Sequence, residues 1–183
     1  MRYDAVVIGG GRSGCAEALR RASDGQKVCL VAAGLTLHSL EPELTGKPYA
    51  ELHALTKAGI AVLRGDTVEE VLWGATASDH VESVKTANGI TLEAAEFVLA
   101  TGRFFSRGLV ADMEGVREPL FGADVDFPAD RSKWFNPDFF APQPFESFGV
   151  KTDKAGRILK GGKPVENVYA VGIILGGKHD AGR

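Results

Sequence analysis

Near its N-terminus the chain carries a β-branched apolar run, Ala5-Val6-Val7-Ile8, that passes directly into Gly9-Gly10-Gly11-Arg12-Ser13-Gly14. After it comes Cys15-Ala16-Glu17-Ala18-Leu19-Arg20-Arg21-Ala22, built from strong helix formers with one apolar face. Gly9, Gly11 and Gly14 make a G-x-G-x-x-G spacing between a strand and a helix. In such a loop the first glycine permits the tight turn. The second lets a phosphate approach the backbone, and the third lets the helix pack close to the strand. The helix start then presents unpaired N–H groups and the positive end of its dipole. The spacing alone is weak, but its place between strand and helix makes it informative. The expected phosphate contacts are Gly9, Gly10, Gly11, Arg12, Ser13 and Gly14, and the expected ligand is a dinucleotide or a flavin.

Asp24-Gly25 is a stop-and-turn signal, and Lys27-Val28-Cys29-Leu30-Val31 reads as a second buried strand. Strand, helix and strand within about 30 residues form a βαβ unit with a parallel pair. A Rossmann site usually ends its second strand on Asp or Glu, which holds a ribose hydroxyl. Here those positions are Ala32, Ala33 and Gly34, with no arginine nearby for a 2′-phosphate. Two readings stay open. Backbone groups, Ala33 and Gly34 among them, hold the AMP half alone; or the ligand has no AMP half, as in FMN.

The 183 residues suit one domain, or one domain with a small appendage. A formal net charge of -3 argues against nucleic-acid binding by phosphate neutralisation. No apolar run is long enough to span a bilayer. Asp4 and the early glycines do not fit a signal peptide, so the expected location is cytoplasmic, with at most peripheral membrane association. Cys15 and Cys29 stand alone, in no metal-ligand spacing, and are expected to be small buried hydrophobes.

Further along, the spacing predicts a helix over 49–58, a short strand over 60–63, and a β-meander over 60–95 with turns at Gly74 and Asn88-Gly89. Phe97-Val98-Leu99-Ala100 reads as another buried strand, ending at Thr101-Gly102. Nine of the ten Phe and five of the eight Pro lie between 104 and 148, too proline-broken for long helices and too aromatic for disorder. This arm, 104–150, is expected to pack over the sheet, to meet a second copy or a partner subunit, or to touch a membrane, the last least because basic residues there are few. A closing strand over 164–177 runs into Gly176-Gly177.

Several of these segments resemble a known family. Tyr3 to Gly11 is similar to the opening of flavoproteins with a two-dinucleotide-binding-domain architecture. Phe97-Val98-Leu99-Ala100-Thr101-Gly102 resembles their "ATG" strand, and Asn167-Val168-Tyr169-Ala170-Val171-Gly172 their last strand. More narrowly, Ala100 to Val110, Arg117 to Gly122, Asp124-Val125, Phe139 to Phe145, Phe148 to Asp153 and Leu175-Gly176-Gly177 resemble the B subunit of bacterial anaerobic glycerol-3-phosphate dehydrogenase. The resemblance implies a Rossmann-like FAD/NAD(P)-binding α/β fold with a parallel sheet and a small antiparallel meander. It implies FMN or FAD as cofactor, electron flow from substrate towards quinone, and partner subunits or a homo-oligomer. It adds Val68, Thr101, Gly102, Arg103, Gly172 and Gly176 to the expected cofactor contacts. Family members carry a substrate or capping domain after the second strand; only His38 to Lys47 stand there, so that domain is expected to be largely absent and 1–183 to be one flavin-binding domain whose first part, 1–37, is the cradle.

Other residues carry weaker signals. His38 is a flavin-facing candidate at the end of the second strand, but a lone loop histidine usually lies on the surface. Arg103 can meet a phosphate, the flavin, or a salt-bridge partner. His179-Asp180 is best read as a frayed end. No catalytic triad or metal cluster stands out. A non-catalytic nucleotide-binding or electron-relay module is the competing expectation to an oxidoreductase subunit.

Overall fold

A computed structural model of the chain describes residues 2–34, 48–75 and 79–177. The βαβ unit forms as the sequence predicts: β1 (Arg2–Ile8), α1 (Arg12–Ser23) and β2 (Val28–Ala32). β1 and β2 run parallel, from Ala5 opposite Val28 to Ile8 opposite Val31. All five residues of β2 are buried, the burial expected of a strand covered on both faces. α2 (Pro48–Lys57) leads into β3 (Ala61–Arg64), which extends the parallel sheet beyond β2.

The meander comprises β4 (Val68–Trp73), β5 (Val81–Thr86) and β6 (Thr91–Leu99). Here the structure differs from the sequence reading. The third meander strand and the buried run at Phe97 are one nine-residue strand. The first part of β6 pairs antiparallel with β5, at Ser83 opposite Glu93. Its last part pairs parallel with β12 (Lys163–Ala170), at Val168 opposite Phe97. Its other edge runs parallel to β1 throughout. The burial pattern records the change of partner: alternating exposed and buried over the first residues, then three buried in a row.

A hairpin that the sequence reading missed adds β11 (Arg157–Lys160) antiparallel to β12, giving the order β11-β12-β6-β1-β2-β3. Within the aromatic arm, β7 (Val110–Ala111) pairs with β8 (Val116–Arg117), and β9 (Val125–Asp126) with β10 (Gly149–Val150). These are two-residue pairs, too short to show a period.

Successive residues of β1 face opposite sides, so the sheet carries two cores. Val7, Cys15, Ala18, Val28, Leu30, Leu55 and Val98 fill the helical side. Val6, Ile8, Cys29, Val31, Phe97 and Leu99 fill the other, where Leu109, Phe121 and Phe148 from the arm join them. Phe148 sits among Phe104, Phe127 and Trp134, with ring centroids 6.0–6.3 Å apart. Phe105, Phe139 and Phe140 remain exposed. Both cysteines are buried and neither forms a disulfide, and burial pushes the Cys29 thiol up to about 11.

Candidate functional site

The glycine loop lies at the carboxyl ends of β1 and β6, where parallel α/β sheets place their ligands. Gly9 has φ 119°, and a Cβ there would stand 2.2 Å from the Ala100 carbonyl oxygen. A Cβ on Gly14 would stand 1.8 Å from the Gly9 carbonyl oxygen. Those two glycines let α1 and the ends of the two strands close on each other. Gly11 is different. Its φ is -80° and no heavy atom lies within 4 Å of its would-be Cβ, so this glycine leaves open space.

The start of α1 is built for an anion. The first intrahelical bond runs from Cys15 N–H to the Gly11 carbonyl at 2.9 Å, so the N–H groups of Arg12, Ser13 and Gly14 precede it. Gly11 offers no side-chain cap, and the first turn holds no acidic residue. Arg12 instead occupies the first helical position and is exposed, the sign the helix dipole disfavours there. A phosphate at this end would satisfy the N–H groups and the dipole together. Gly10 contributes its carbonyl to Cys15 Sγ at 3.5 Å.

Two further loops meet the cradle. After β6, Gly102 turns with φ 75°, and Arg103 Nε donates to the Ile173 carbonyl at 2.6 Å. After β12, Gly172 has φ 80°, and a Cβ there would stand 2.1 Å from Ser13 Oγ. The 3-10 turn Gly172–Ile174 therefore rests on the first turn of α1. Gly9, Ser13, Gly14, Thr101, Gly102, Arg103 and Gly172 are thus gathered at one end of the sheet.

The remaining predicted contacts are placed otherwise. Ala33 and Gly34 are exposed at the end of β2, where the Gly34 carbonyl accepts from Gly65 N–H at 3.3 Å. Val68 begins β4, pairs with Thr86 and packs partly buried against the larger core. Gly176 is used in packing: a Cβ on Gly149 would stand 1.8 Å from Gly176 N, so these two segments touch backbone to backbone. Sequence reasoning missed that pair, and Gly108, whose Cβ would stand 2.0 Å from the Gly102 carbonyl oxygen. Only the glycines themselves signalled these contacts. His38 and His179-Asp180 lie outside the described residues.

Asp66 was also missed. Its N–H donates to the Ala32 carbonyl at 3.2 Å, which brings an acid beside the end of β2. The carboxylate does not replace the absent ribose ligand, because it is 3% exposed and its Oδ1 accepts from Thr67 N–H and Asn88 N–H. Burial pushes this carboxyl up, but the donors of Thr86, Asn88 and Thr67 outweigh it and hold it below the usual carboxylate range. Asp66 fastens the β3–β4 and β5–β6 turns together. Among the described residues no group of three or more His, Cys, Asp or Glu is arranged to hold a metal, and no helix is long and apolar enough to cross a membrane.

The residues present fit a phosphate-bearing flavin: an uncapped helix start, open space at Gly11, and orphaned buried polar atoms on Thr101 and Arg103. The chain is 40% identical over 129 residues to the B subunit of anaerobic glycerol-3-phosphate dehydrogenase from Yersinia enterocolitica, covering 70% of this chain and 29% of that protein. It is 36% identical over 152 residues to the corresponding protein from Aliivibrio fischeri, covering 76% of this chain and 33% of that protein. The chain thus spans about a third of the length of these relatives. Among solved structures it is similar to the myxobacterial chondrochloren halogenase CndH, a variant of the FAD-dependent halogenases, at 17% identity and a TM-score of 0.43, over 55% of this chain and 37% of that one. The FAD binding domain family matches residues 45–183, more than half of the chain. The chain belongs to the FAD binding domain family, and its cofactor is a flavin.

Proposed function

We propose that this chain is the flavin-holding part of an oxidoreductase related to the B subunit of anaerobic glycerol-3-phosphate dehydrogenase, acting in the cytoplasm with partner subunits and passing electrons towards quinone. The observation that carries the reading is the uncapped, acid-free start of α1 over the open space at Gly11. Bound there, a flavin would supply the electron chemistry. The chain's own part is to hold and orient it. Arg12, Ser13 and Gly14 N–H groups take the phosphate; Thr101, Gly102, Arg103 and Gly172 lie beside it at the ends of β6 and β12.

The form of the flavin follows from the end of β2. With Ala32, Ala33 and Gly34 there and Asp66 turned to Thr67 and Asn88, no carboxylate in this part of the described chain is set to hold an adenosine ribose. That favours FMN, or FAD held on its adenosine side by backbone groups. Mass spectrometry of the heat-released ligand separates them.

A second reading is an electron-relay or assembly module that holds flavin without a substrate site of its own. It is favoured by the short connection between β2 and α2, residues 33–47, where the family resemblance leads one to expect a substrate domain. Purified protein whose yellow absorbance bleaches on anaerobic addition of glycerol 3-phosphate supports the first reading. Retained flavin with no bleaching supports the second. Protein that takes up neither FMN nor FAD sinks both.

A further inference from the structure

Within the aromatic arm, residues 134–145 form a surface loop closed at its base, where Phe145 N–H donates to the Trp134 carbonyl at 3.0 Å. Gln143 ties the loop from inside. Its Oε1 accepts from Asn136 N–H at 2.9 Å, and its Nε2 donates to the carbonyls of Asp138 and Ala141 at 3.0 and 3.1 Å. Asn136 Oδ1 accepts from Asp138 N–H, and Asp138 Oδ1 from Phe140 N–H, both at 3.0 Å. Ala141 N–H donates to the Asp138 carbonyl at 3.1 Å, and Pro137 and Pro142 have no N–H to satisfy. The backbone at the tip is therefore largely hydrogen-bonded within the loop.

The apolar groups point the other way. Phe135, Phe139 and Phe140 are 59%, 84% and 95% exposed, and the last two rings meet edge to face at 5.7 Å. Surface loops ordinarily show polar side chains to water; this one commits Asn136, Asp138 and Gln143 to its own backbone and displays its rings. Large exposed apolar groups on an ordered loop mark a surface that leaves water when it is used. The three rings offer about 500 Å². That is short of the roughly 800 Å² per partner that a stable protein pair buries. Two clefts in the described surface, one lined by Arg20, Arg21 and Glu96 and one by Arg2, Glu82 and Glu93, are charged and give the tip of a second copy no apolar socket. Hydrocarbon needs no matching surface. It requires instead that backbone donors and acceptors be satisfied internally, because lipid tails supply none, and this loop meets that requirement.

We propose that the loop 134–145 docks this protein on a zwitterionic phospholipid surface, with Phe139 and Phe140 inserted below the headgroups. Charge selects the lipid. Between 130 and 147, Arg131 and Lys133 stand against Asp130, Asp138 and Glu146, and the whole chain carries a formal net charge of -3. Such a surface is not drawn to anionic headgroups. The ammonium of a choline or ethanolamine headgroup suits Asp138 beside the inserted rings. The scarcity of basic residues in the arm thus decides which lipid is met, while the rings supply the attachment. The contact is peripheral, since no helix among the described residues is long and apolar enough to cross a membrane. The inference goes beyond the flavin reading and does not depend on it.

The test is co-sedimentation of the full chain with vesicles of phosphatidylcholine alone, or mixed with phosphatidylethanolamine or with phosphatidylglycerol. The unaltered protein should sediment with the first two. Adding phosphatidylglycerol should not raise the bound fraction, and high salt should not release the protein. The double variant Phe139→Ser with Phe140→Ser should lose at least ten-fold in vesicle affinity at an unchanged thermal midpoint, because both rings are exposed. Gln143→Ala keeps the rings and loosens the loop that aims them, so its affinity should fall several-fold. Phe140→Trp should gain a blue-shifted emission on vesicle addition, quenched by brominated phosphatidylcholine. Any of four results overturns the proposal: no sedimentation with any vesicle; equal binding by the double variant; binding confined to phosphatidylglycerol and removed by salt; or self-association without vesicles that the double variant abolishes, which assigns the rings to a second copy. None of these variants touches the cradle, so flavin uptake should be the same in all of them, and failure here leaves the flavin reading standing.

Discussion

A Cβ placed on Gly14 would stand 1.8 Å from the Gly9 carbonyl oxygen, so the helix and the loop that precedes it are in contact through backbone alone. Gly14→Ala must push α1 away from β1. Overpacking of this kind costs about 1–3 kcal/mol, and the displaced helix start should also lose its phosphate. Gly11→Ala meets nothing within 4 Å, so its cost to folding should stay below about 1 kcal/mol, the loss of a glycine N-cap. Flavin affinity should nevertheless fall. Urea unfolding and flavin titration of the two variants check this: loss of binding with loss of stability for Gly14→Ala, loss of binding alone for Gly11→Ala.

Arg21 pins α1 to the sheet. It is 6% exposed, with Nε 2.7 Å from Glu17 and Nη1 2.6 Å from Glu96, and its guanidinium lies 5.9 Å from the Tyr169 ring centroid. Arg21→Met strands two acids and should cost about 2–3 kcal/mol, below the range for a fully buried pair because Glu96 is partly solvated. Hydrogen bonding to Arg20 first, and then to Arg21, holds the Glu17 carboxyl below its usual value despite burial. A depressed carboxylate contributes stability above the ordinary Glu range and loses it as pH falls through the folded value. That acid-side loss should shrink in Arg21→Met without vanishing, since Arg20 remains. Thermal midpoints across the acid range are the measurement.

Glu118 titrates in the opposite sense. It is 2% exposed, and its carboxylate accepts N–H groups from Leu120, Phe121 and Ala123 at 2.8, 2.8 and 3.2 Å. Burial nonetheless pushes its carboxyl above the usual range, against those donors. The folded state then binds the proton more tightly than the unfolded one. Glu118 therefore contributes most below the ordinary Glu range, and that contribution is lost as pH rises through its raised folded value. Subtracting the unfolding free energies of Glu118→Gln from those of the unaltered protein, between about pH 4 and pH 8, should give a curve that descends with pH. A flat or rising difference would show that the backbone donors dominate instead.

The aromatic arm should divide sharply by burial. Phe148 is 2% exposed within its ring cluster, so Phe148→Ala should cost about 3–5 kcal/mol. Phe140, 95% exposed and touching Phe139 edge to face, should tolerate Phe140→Ser within about 0.5 kcal/mol. Chemical denaturation distinguishes the two.

What could be read from residue order alone was whatever local periodicity encodes. The β-branched runs of β1 and β2, the helix formers of α1 and the glycine spacing between them are contiguous, so the βαβ cradle was legible before any fold was known. The β5–β6 hairpin was legible through Asn88-Gly89 for the same reason. Contacts between distant segments were not. β6 changes partner midway because β5 and β12 share one of its edges, and no local pattern announces that. Asp66 reads as an ordinary turn residue until Asn88 closes on it. Glycine spacing determined that a phosphate cradle exists, because close backbone approach demands glycine wherever it occurs. Only the tertiary structure decided which partners meet it: Gly172 against Ser13, and Arg103 held by Ile173. Those residues lie 159 and 70 positions apart, and packing of the sheet alone brings them together.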